Sequence, residues 1–320
     1  MSDPTATPTA IAGRAEPEPL PENIRSVQPG GGLGMQVELL WGRWRRWRLR
    51  WLRPGYVERM AGLRRGDTAG APHEVLDPRD LKYCRNQCTA HWAEADDPFA
   101  WRARLPFARW GLAELQLFGW PLLALTVGLS YAWWPLGYLA AVPLALVVWF
   151  FRDPPRAIPQ GPGLIVAPAD GKLAEITRLE HDPDLGGPAV RLGIFLSIFN
   201  VHINRSPAEA RVIALRYSPG EFRNALDPAS ARVNEHAQIT FEEEAPPHRR
   251  MVVRQIAGAI ARRIVCDLRP GEVLARGQKF GMIKFGSRTE LILPDAANLR
   301  VASRVGDRVR AGASVLAQYE

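Results

Sequence analysis

Residues 279–294 read KFGMIKFGSRTELILP. Short apolar runs alternate here with Gly and charged residues. The same texture fills the chain beyond Arg156: GLIVAPADGKLAEI (163–176), VRLGIFLSIFNVHI (190–203), RVIALRY (211–217), AQITFE (237–242), MVVRQIAG (251–258) and VLAQY (315–319). Runs this short, rich in Val, Ile and Leu and punctuated by Gly, Pro and Asp turns, predict a mainly β (α+β) domain over 152–320, antiparallel and with little helix.

Upstream the character changes. Residues 117–151, LFGWPLLALTVGLSYAWWPLGYLAAVPLALVVWFF, hold no acidic or basic side chain. The run is too long and apolar for one helix of a soluble domain, and Trp133-Trp134-Pro135 interrupts its middle. Two spans turning at Trp134-Pro135 predict a transmembrane or re-entrant hairpin over 111–151, each arm near the lower limit of about 17 residues for crossing a bilayer. Arg102, Arg104 and Arg109 precede it, and Arg152 and Arg156 follow it. Positive residues on both flanks put both ends, and the β domain with them, on the cytoplasmic face of the inner membrane.

The segment 37–110 reads as membrane-peripheral. Trp41, Trp44, Trp47 and Trp51 recur at spacings of three and four, roughly one helix face, while Arg43, Arg45, Arg46, Arg48, Arg50 and Arg53 fill the others. Indole rings settle at the headgroup level and Arg attracts anionic lipid, so an interfacial helix is expected. A Trp stripe packed on the protein itself is the alternative. Cys84, Cys88 and His91 offer three ligands with no fourth at finger-like spacing, so no metal is expected. Residues 1–36 are rich in Pro, Gly, Thr and Glu and are expected to be disordered, with too little apolar surface to offset ordering.

The chain has 320 residues, 47% of them hydrophobic, enough for one domain plus appended segments. A net charge of +8 asks for an anionic partner. The Arg runs sit beside Trp and apolar spans rather than on a nucleic-acid module, so the expected partner is membrane lipid and not nucleic acid. Three cysteines give no disulfide framework, and no basic-then-apolar signal peptide opens the chain.

Three places in the β domain carry reactive side chains: Ala167-Pro168-Ala169-Asp170-Gly171-Lys172, Phe199–Pro207 around His202, and Phe280–Arg288 around Ser287. Singly, each has a plain explanation. Asp-Gly is a turn, a His on an apolar strand is a hydrogen-bonding residue, and Gly-Ser pairs are common. The G-x-S-x-G elbow of the hydrolases is absent.

Taken together, an apolar hairpin followed by FFRDPPR (150–156), APADGK (167–172), FLSIFNVHINRSP (195–207), QIAGAIARRIVC (255–266), GQKFGMIKFGSR (277–288) and VGDRVRAGASVLA (305–317) resembles the short, bacterial-type phosphatidylserine decarboxylases. The resemblance runs from about Gly111 to Glu320 and leaves residues 1–110 outside it.

It implies a proenzyme that cuts itself between Gly286 and Ser287. Ser287 Oγ would attack the Gly286 carbonyl, and an N-to-O acyl shift would give an ester. Elimination and hydrolysis would then leave a covalent pyruvoyl group from Ser287 as cofactor, on a small chain held non-covalently by the large one. The family's Asp-His-Ser arrangement maps onto Asp170, His202 and Ser287, with Asp170 orienting His202 and His202 acting as base. Longer members carry another His three residues before His202; this chain has Phe199 there. The implied reaction turns phosphatidylserine into phosphatidylethanolamine through a Schiff base on the pyruvoyl ketone, with His202 as the candidate acid for reprotonation. Arg205, Arg262 and Arg263 are candidates for holding phosphate or carboxylate.

Three alternatives stand beside this. The lipid could be a related serine-headed one such as archaetidylserine, since the headgroup is alike. The protein could be an inactive membrane-bound scaffold, against which intact Asp170, His202, Gly286 and Ser287 argue. IVAPADGKLAEI and VGDRVRAGASVLA also resemble the halves of a biotinyl or lipoyl carrier. Lys284 sits in Ile-Lys-Phe rather than a carrier's motif, so only barrel-sandwich-hybrid-like elements of that fold are expected.

Overall fold

The structure, a computed structural model, describes residues 14–21, 32–66, 90–225, 227, 230–259, 263–284 and 286–320. Helices α1 (Gly32–Leu52) and α2 (Pro54–Gly62) meet at Arg53, where Pro54 can open a helix but not continue one. Trp41, Trp44, Trp47 and Trp51 are all exposed, and Trp41 stacks on Trp44 at 4.9 Å.

Helices α3 (Leu112–Ala132) and α4 (Trp134–Phe150) form an antiparallel pair. Trp133 between them is extended, and Pro135 falls in the first turn of α4, where no backbone donor is needed. Close approach explains why the pair holds. A Cβ on Gly137 would come within 1.9 Å of Ser130 Oγ, so the missing side chain lets the backbones meet. Outward-facing Trp120, Val127, Leu139 and Val142 stay exposed. Among the described residues, only the helical stretch Arg109–Ala132 is long and apolar enough to cross a membrane by length and composition; α4 is shorter, so one arm of the expected two-span hairpin meets that measure.

The β domain comprises β1 (Leu164–Val166), β2 (Gly171–Asp182), β3 (Gly187–Leu196), β4 (Ile203–Arg205), β5 (Ala210–Ser218), the short helix α5 (Ser230–Val233), β6 (His236–Glu243), β7 (Arg250–Ile256), β8 (Arg263–Cys266), β9 (Val273–Leu274), β10 (Lys279–Lys284), β11 (Ser287–Pro294), β12 (Leu299–Val301), β13 (Arg308–Val309) and β14 (Val315–Tyr319). Among the described residues, all pairings of these strands are antiparallel. One sheet has eight strands in the order β13-β2-β3-β11-β7-β6-β5-β9; two sheets of three run β4-β10-β8 and β1-β14-β12.

Strand alternation sets what lies where. On β11, Leu291 and Leu293 enter the main core with Leu192, Ile194, Val253 and Phe280, and Ser287 and Thr289 continue their row. Arg288 and Glu290 point to the opposite face. There Arg288 donates to Glu290 (3.0 Å) and to Glu175, and Arg254 donates to Glu290 (3.1 Å), so these charges are buried only in partnership.

Two connections position the site. β3 leaves the large sheet at Leu196 and re-enters the small one as β4 at Ile203. Alongside it, β10 leaves the small sheet at Lys284 and enters the large one as β11 at Ser287. The two crossovers lie side by side, with His202 on one and Gly286 on the other.

Residues 14–21 depart from the expected disorder. They run extended beside β5, where the Glu18 amide donates to the Ile213 carbonyl (2.8 Å), Arg211 donates to the Ala15 carbonyl (2.7 Å) and Leu20 packs on the core. Cys84 and Cys88 lie outside the described residues, while His91 forms a backbone bridge with Arg65.

Candidate active site

Ser197 begins the turn that carries His202. Its amide and hydroxyl both donate to Asn200 Oδ1, at 2.9 and 2.7 Å, which fixes Asn200 and aims its carbonyl at the imidazole. His202 Nδ1 lies 2.9 Å from that carbonyl, and Nε2 lies 3.2 Å from the Gly286 amide nitrogen. A carbonyl only accepts and an amide only donates. Nδ1 therefore carries the proton, and the Nε2 lone pair faces Gly286. His202 is fully buried, with its ring 4.5 Å from that of Phe150. Burial pushes its pKa down to about 4, against the Asn200 carbonyl, which favours the proton, and with Arg152, whose positive charge opposes it. The imidazole is thus a neutral base at pH 7.

Gly286 turns the second crossover with φ +70°, a left-handed conformation that favours glycine. Its carbonyl oxygen would be 2.3 Å from a Cβ on Gly258, so Gly258 is glycine because the Gly286 carbonyl occupies that space. Ser287 follows, fully buried, and its Oγ has no hydrogen-bond partner among the described residues. A buried hydroxyl without a partner costs about 1–3 kcal/mol, so no hydrogen bond among the described residues explains a serine here. Beneath it Asn204 bridges the Thr289 hydroxyl (3.2 Å) and the Pro168 carbonyl (3.3 Å), and Gln255 donates to Asn204 Oδ1 (2.9 Å).

Asp170 stands differently from the expectation. Its carboxylate accepts from Arg156 (2.7 Å) and from the Ala311 amide (2.8 Å), while the His202 proton goes to the Asn200 carbonyl. The hydrogen bond on His202 Nδ1 therefore goes to Asn200, and the Asp170 carboxylate is held by Arg156 and the Ala311 amide. The reason is local: β13 brings the Ala311 amide against Asp170, and the chain after Pro155 lays Arg156 across it.

Two of the three expected anion-binding arginines are committed within the protein. Arg205 donates to the Gly277 carbonyl (3.0 Å) and to Asp153 (3.2 Å), and Arg263 lies 3.9 Å from Glu114; Arg262 is outside the described residues. Sequence reasoning missed Arg152, Asn200 and Gly258. Arg152 stacks on Trp149 at 3.9 Å and donates to the Phe199 carbonyl at 2.9 Å, fastening the end of α4 to the His202 turn. All three fall inside the quoted blocks, but nothing in the residue types alone marks them.

Ile198 and Phe199 are exposed beside the buried His202, and Trp149 of α4 joins them. A cavity of about 450 Å³ lies elsewhere, between residues 90–110 and the edge of the β domain, and Ser287, His202 and Asp170 take no part in it.

Comparison with known proteins agrees with this geometry. The phosphatidylserine decarboxylase family model matches residues 144–317. A phosphatidylserine decarboxylase proenzyme of Rhodopirellula baltica is 50% identical over 240 residues, 75% of this chain and 99% of that protein. Proteins of the same name from Symbiobacterium thermophilum (44% over 202 residues; 62% and 92%) and Nitrosomonas eutropha (41% over 207 residues; 63% and 93%) are also similar. The Rhodopirellula match is longer than Gly111–Glu320, so it reaches into the stretch that the motifs alone had left outside. With its His-facing Gly-Ser corner and this degree of likeness, the chain belongs to the phosphatidylserine decarboxylase family.

Proposed function

We propose that this enzyme is made as a precursor, cuts itself between Gly286 and Ser287, and then removes the carboxylate of phosphatidylserine. The supporting observation is the corner itself. A left-handed Gly286 presents its amide to a neutral His202, next to a buried Ser287 hydroxyl without a partner among the described residues. His202 Nε2 takes the hydroxyl proton as Oγ attacks the Gly286 carbonyl; the Gly286–Ser287 amide breaks as the ester forms, and its nitrogen takes up a proton. Gly258 leaves room for that carbonyl to become tetrahedral.

A pyruvoyl group at position 287 fits the surroundings. The hydroxyl it derives from has no partner among the described residues, and the hydrogen-bonded Asn204, Thr289 and Gln255 support the strand that bears it. Such a group supplies a ketone that draws off the electrons freed when carbon dioxide leaves an amine-bearing carbon. His202 is the residue placed to move protons beside it.

The chain's own geometry favours a lipid. α3 and α4 hold a continuous exposed apolar surface, and Ile198, Phe199 and Trp149 carry it to the rim of the His202 turn. We read α3 and α4 as the membrane anchor and the exposed Trp/Arg face of α1 as an interfacial contact, with the β domain on the cytoplasmic side. Intact mass of the purified protein tests the cleavage. Two chains parting at Gly286 are expected, and Ser287→Ala should give one. A single full-length mass from active protein would overturn the assignment.

A further inference from the structure

Lys284 is the last residue of β10, two positions before the bond to be cut. Its ammonium is buried, with 1% of the side chain exposed. It donates to the Glu114 carboxylate and, at 2.8 Å, to the Trp110 carbonyl. Glu114 is the acidic residue in the first turn of α3, and Trp110 lies in the turn that leads into it. The far end of the membrane pair grips the site as well, since Arg152 and the Trp149 indole both donate to the Phe199 carbonyl in the His202 turn. The start of α3 thus holds the scissile crossover, and the end of α4 holds the crossover that carries the base.

A buried ion pair is weak as a source of stability, because taking both charges out of water offsets most of their attraction. What it does impose is position: a Lys ammonium without its carboxylate cannot stay in that apolar setting. Strand β10 is held on one side by His202, whose carbonyl accepts the Ile283 amide at 3.2 Å and whose ring accepts the Gly286 amide. Strand β8 pairs along its other edge, with Arg263 opposite Lys284, and the Lys284 side chain adds a tie to the start of α3 that is made only while α3 is docked.

We infer that Lys284 is a positioning residue for self-cleavage, and that its pairing with Glu114 makes the cut depend on the docked α3–α4 pair. An undocked precursor leaves the Lys284 ammonium without Glu114 and Trp110, so it draws the strand end toward water and Gly286 away from His202. After the cut, the same pair retains the new end of the large chain at Gly286. This inference rests on cleavage at Gly286–Ser287.

The test is a double-mutant cycle on the full chain synthesised into membranes, reading the half-time of precursor cutting. Lys284→Met and Glu114→Gln should each slow cutting on the order of 100-fold, the penalty for misplacing reacting groups by about 1 Å. The double variant should be no slower than either single one, and Lys284→Arg should recover most of the rate. Melting of each variant in a Ser287→Ala background separates misplacement from misfolding; should Lys284→Met not fold, Glu114→Gln carries the test. Folded single variants that cut at the parent rate, or defects that multiply in the double variant, would overturn the inference. Cutting that persists in Ser287→Ala would instead overturn the cleavage assignment beneath it.

Discussion

The Gly286 amide points at His202 Nε2 from 3.2 Å, so the imidazole lone pair is engaged by the residue whose carbonyl is to be attacked, one position before the nucleophile. The base already faces the scissile crossover in the uncut chain. His202→Ala should therefore leave the precursor uncut in a gel assay over hours in which the parent is fully processed.

Asp170 allows a sharper test. Because Arg156 and the Ala311 amide take its carboxylate, Asp170→Asn should slow cutting by leaving the neighbouring cations Arg152 and Arg156 unopposed, of which Arg152 acts on His202. Removing one of those cations should then restore part of the rate, so Asp170→Asn/Arg156→Met should cut faster than Asp170→Asn alone. A double variant as slow as the single one would mean that Asp170 contacts His202 directly during the reaction.

The pH dependence follows from the buried imidazole. The folded chain holds His202 near 4, whereas an exposed His titrates near 6.5. Between those values the unfolded chain binds a proton that the folded chain refuses, so stability rises with pH from about 4 to 6.5 and His202 adds no slope above that. The contribution lost on acidification is about 3 kcal/mol. Urea midpoints of the Ser287→Ala precursor should show this slope, and His202→Gln should flatten it. A midpoint that climbs as pH falls through this window would contradict a buried neutral imidazole.

Gly258 gives a purely steric prediction. A methyl group there would sit 2.3 Å from the Gly286 oxygen, so the carbonyl must turn away from its present direction. Gly258→Ala should fold, and should cut on the order of 100-fold more slowly by the same misplacement argument. Normal processing of that variant would show that the carbonyl is not held where the structure has it.

Much of this was legible in the sequence because it is periodic. The alternation Ser287, Thr289, Leu291, Leu293 along β11 announces an inward-facing row, and the uncharged run 117–151 announces an apolar helix pair. The residues that gather at the corner were legible only through their blocks. The partner of Asp170 was not, because Arg156 and Ala311 approach it from opposite ends of the β domain. Nor was the tie between Glu114 and Lys284, which joins residues 170 positions apart. Such pairings follow from tertiary closure, and local pattern holds no record of them.

Attachment to the membrane can be separated from the Trp/Arg helix. Ala108 and Trp110 pack with Phe150 and Phe151 at the base of the helix pair, so a truncated chain should begin before them. Residues 105–320 should remain in the membrane fraction at low salt, held by α3 and α4. The intact chain should likewise stay in the membrane fraction at high salt and leave it in detergent, since salt screens only the charge attraction that α1 adds. Recovery of the truncated chain in the soluble fraction would refute the pair as anchor.

The substrate prediction depends on where the site lies. His202 is buried against Phe150 of α4, and the exposed Ile198, Phe199 and Trp149 form an apolar rim around its turn. A ketone at position 287 needs a primary amine, and loss of carbon dioxide needs a carboxylate on the same carbon. Serine-headed lipid has both; ethanolamine and glycerol headgroups lack the carboxylate. Free serine has the reacting atoms without acyl chains to lie on the rim, so little binding energy remains to orient its amine. Detergent micelles of phosphatidylserine should therefore release carbon dioxide, hydroxylamine should block the reaction by trapping the ketone, and free serine should turn over negligibly. Replacing Ile198 and Phe199 with Ser should raise KM for the lipid far more than it lowers kcat, since the rim binds but does not react. Equal rates on free serine and on the lipid would show that the apolar rim takes no part in recognition.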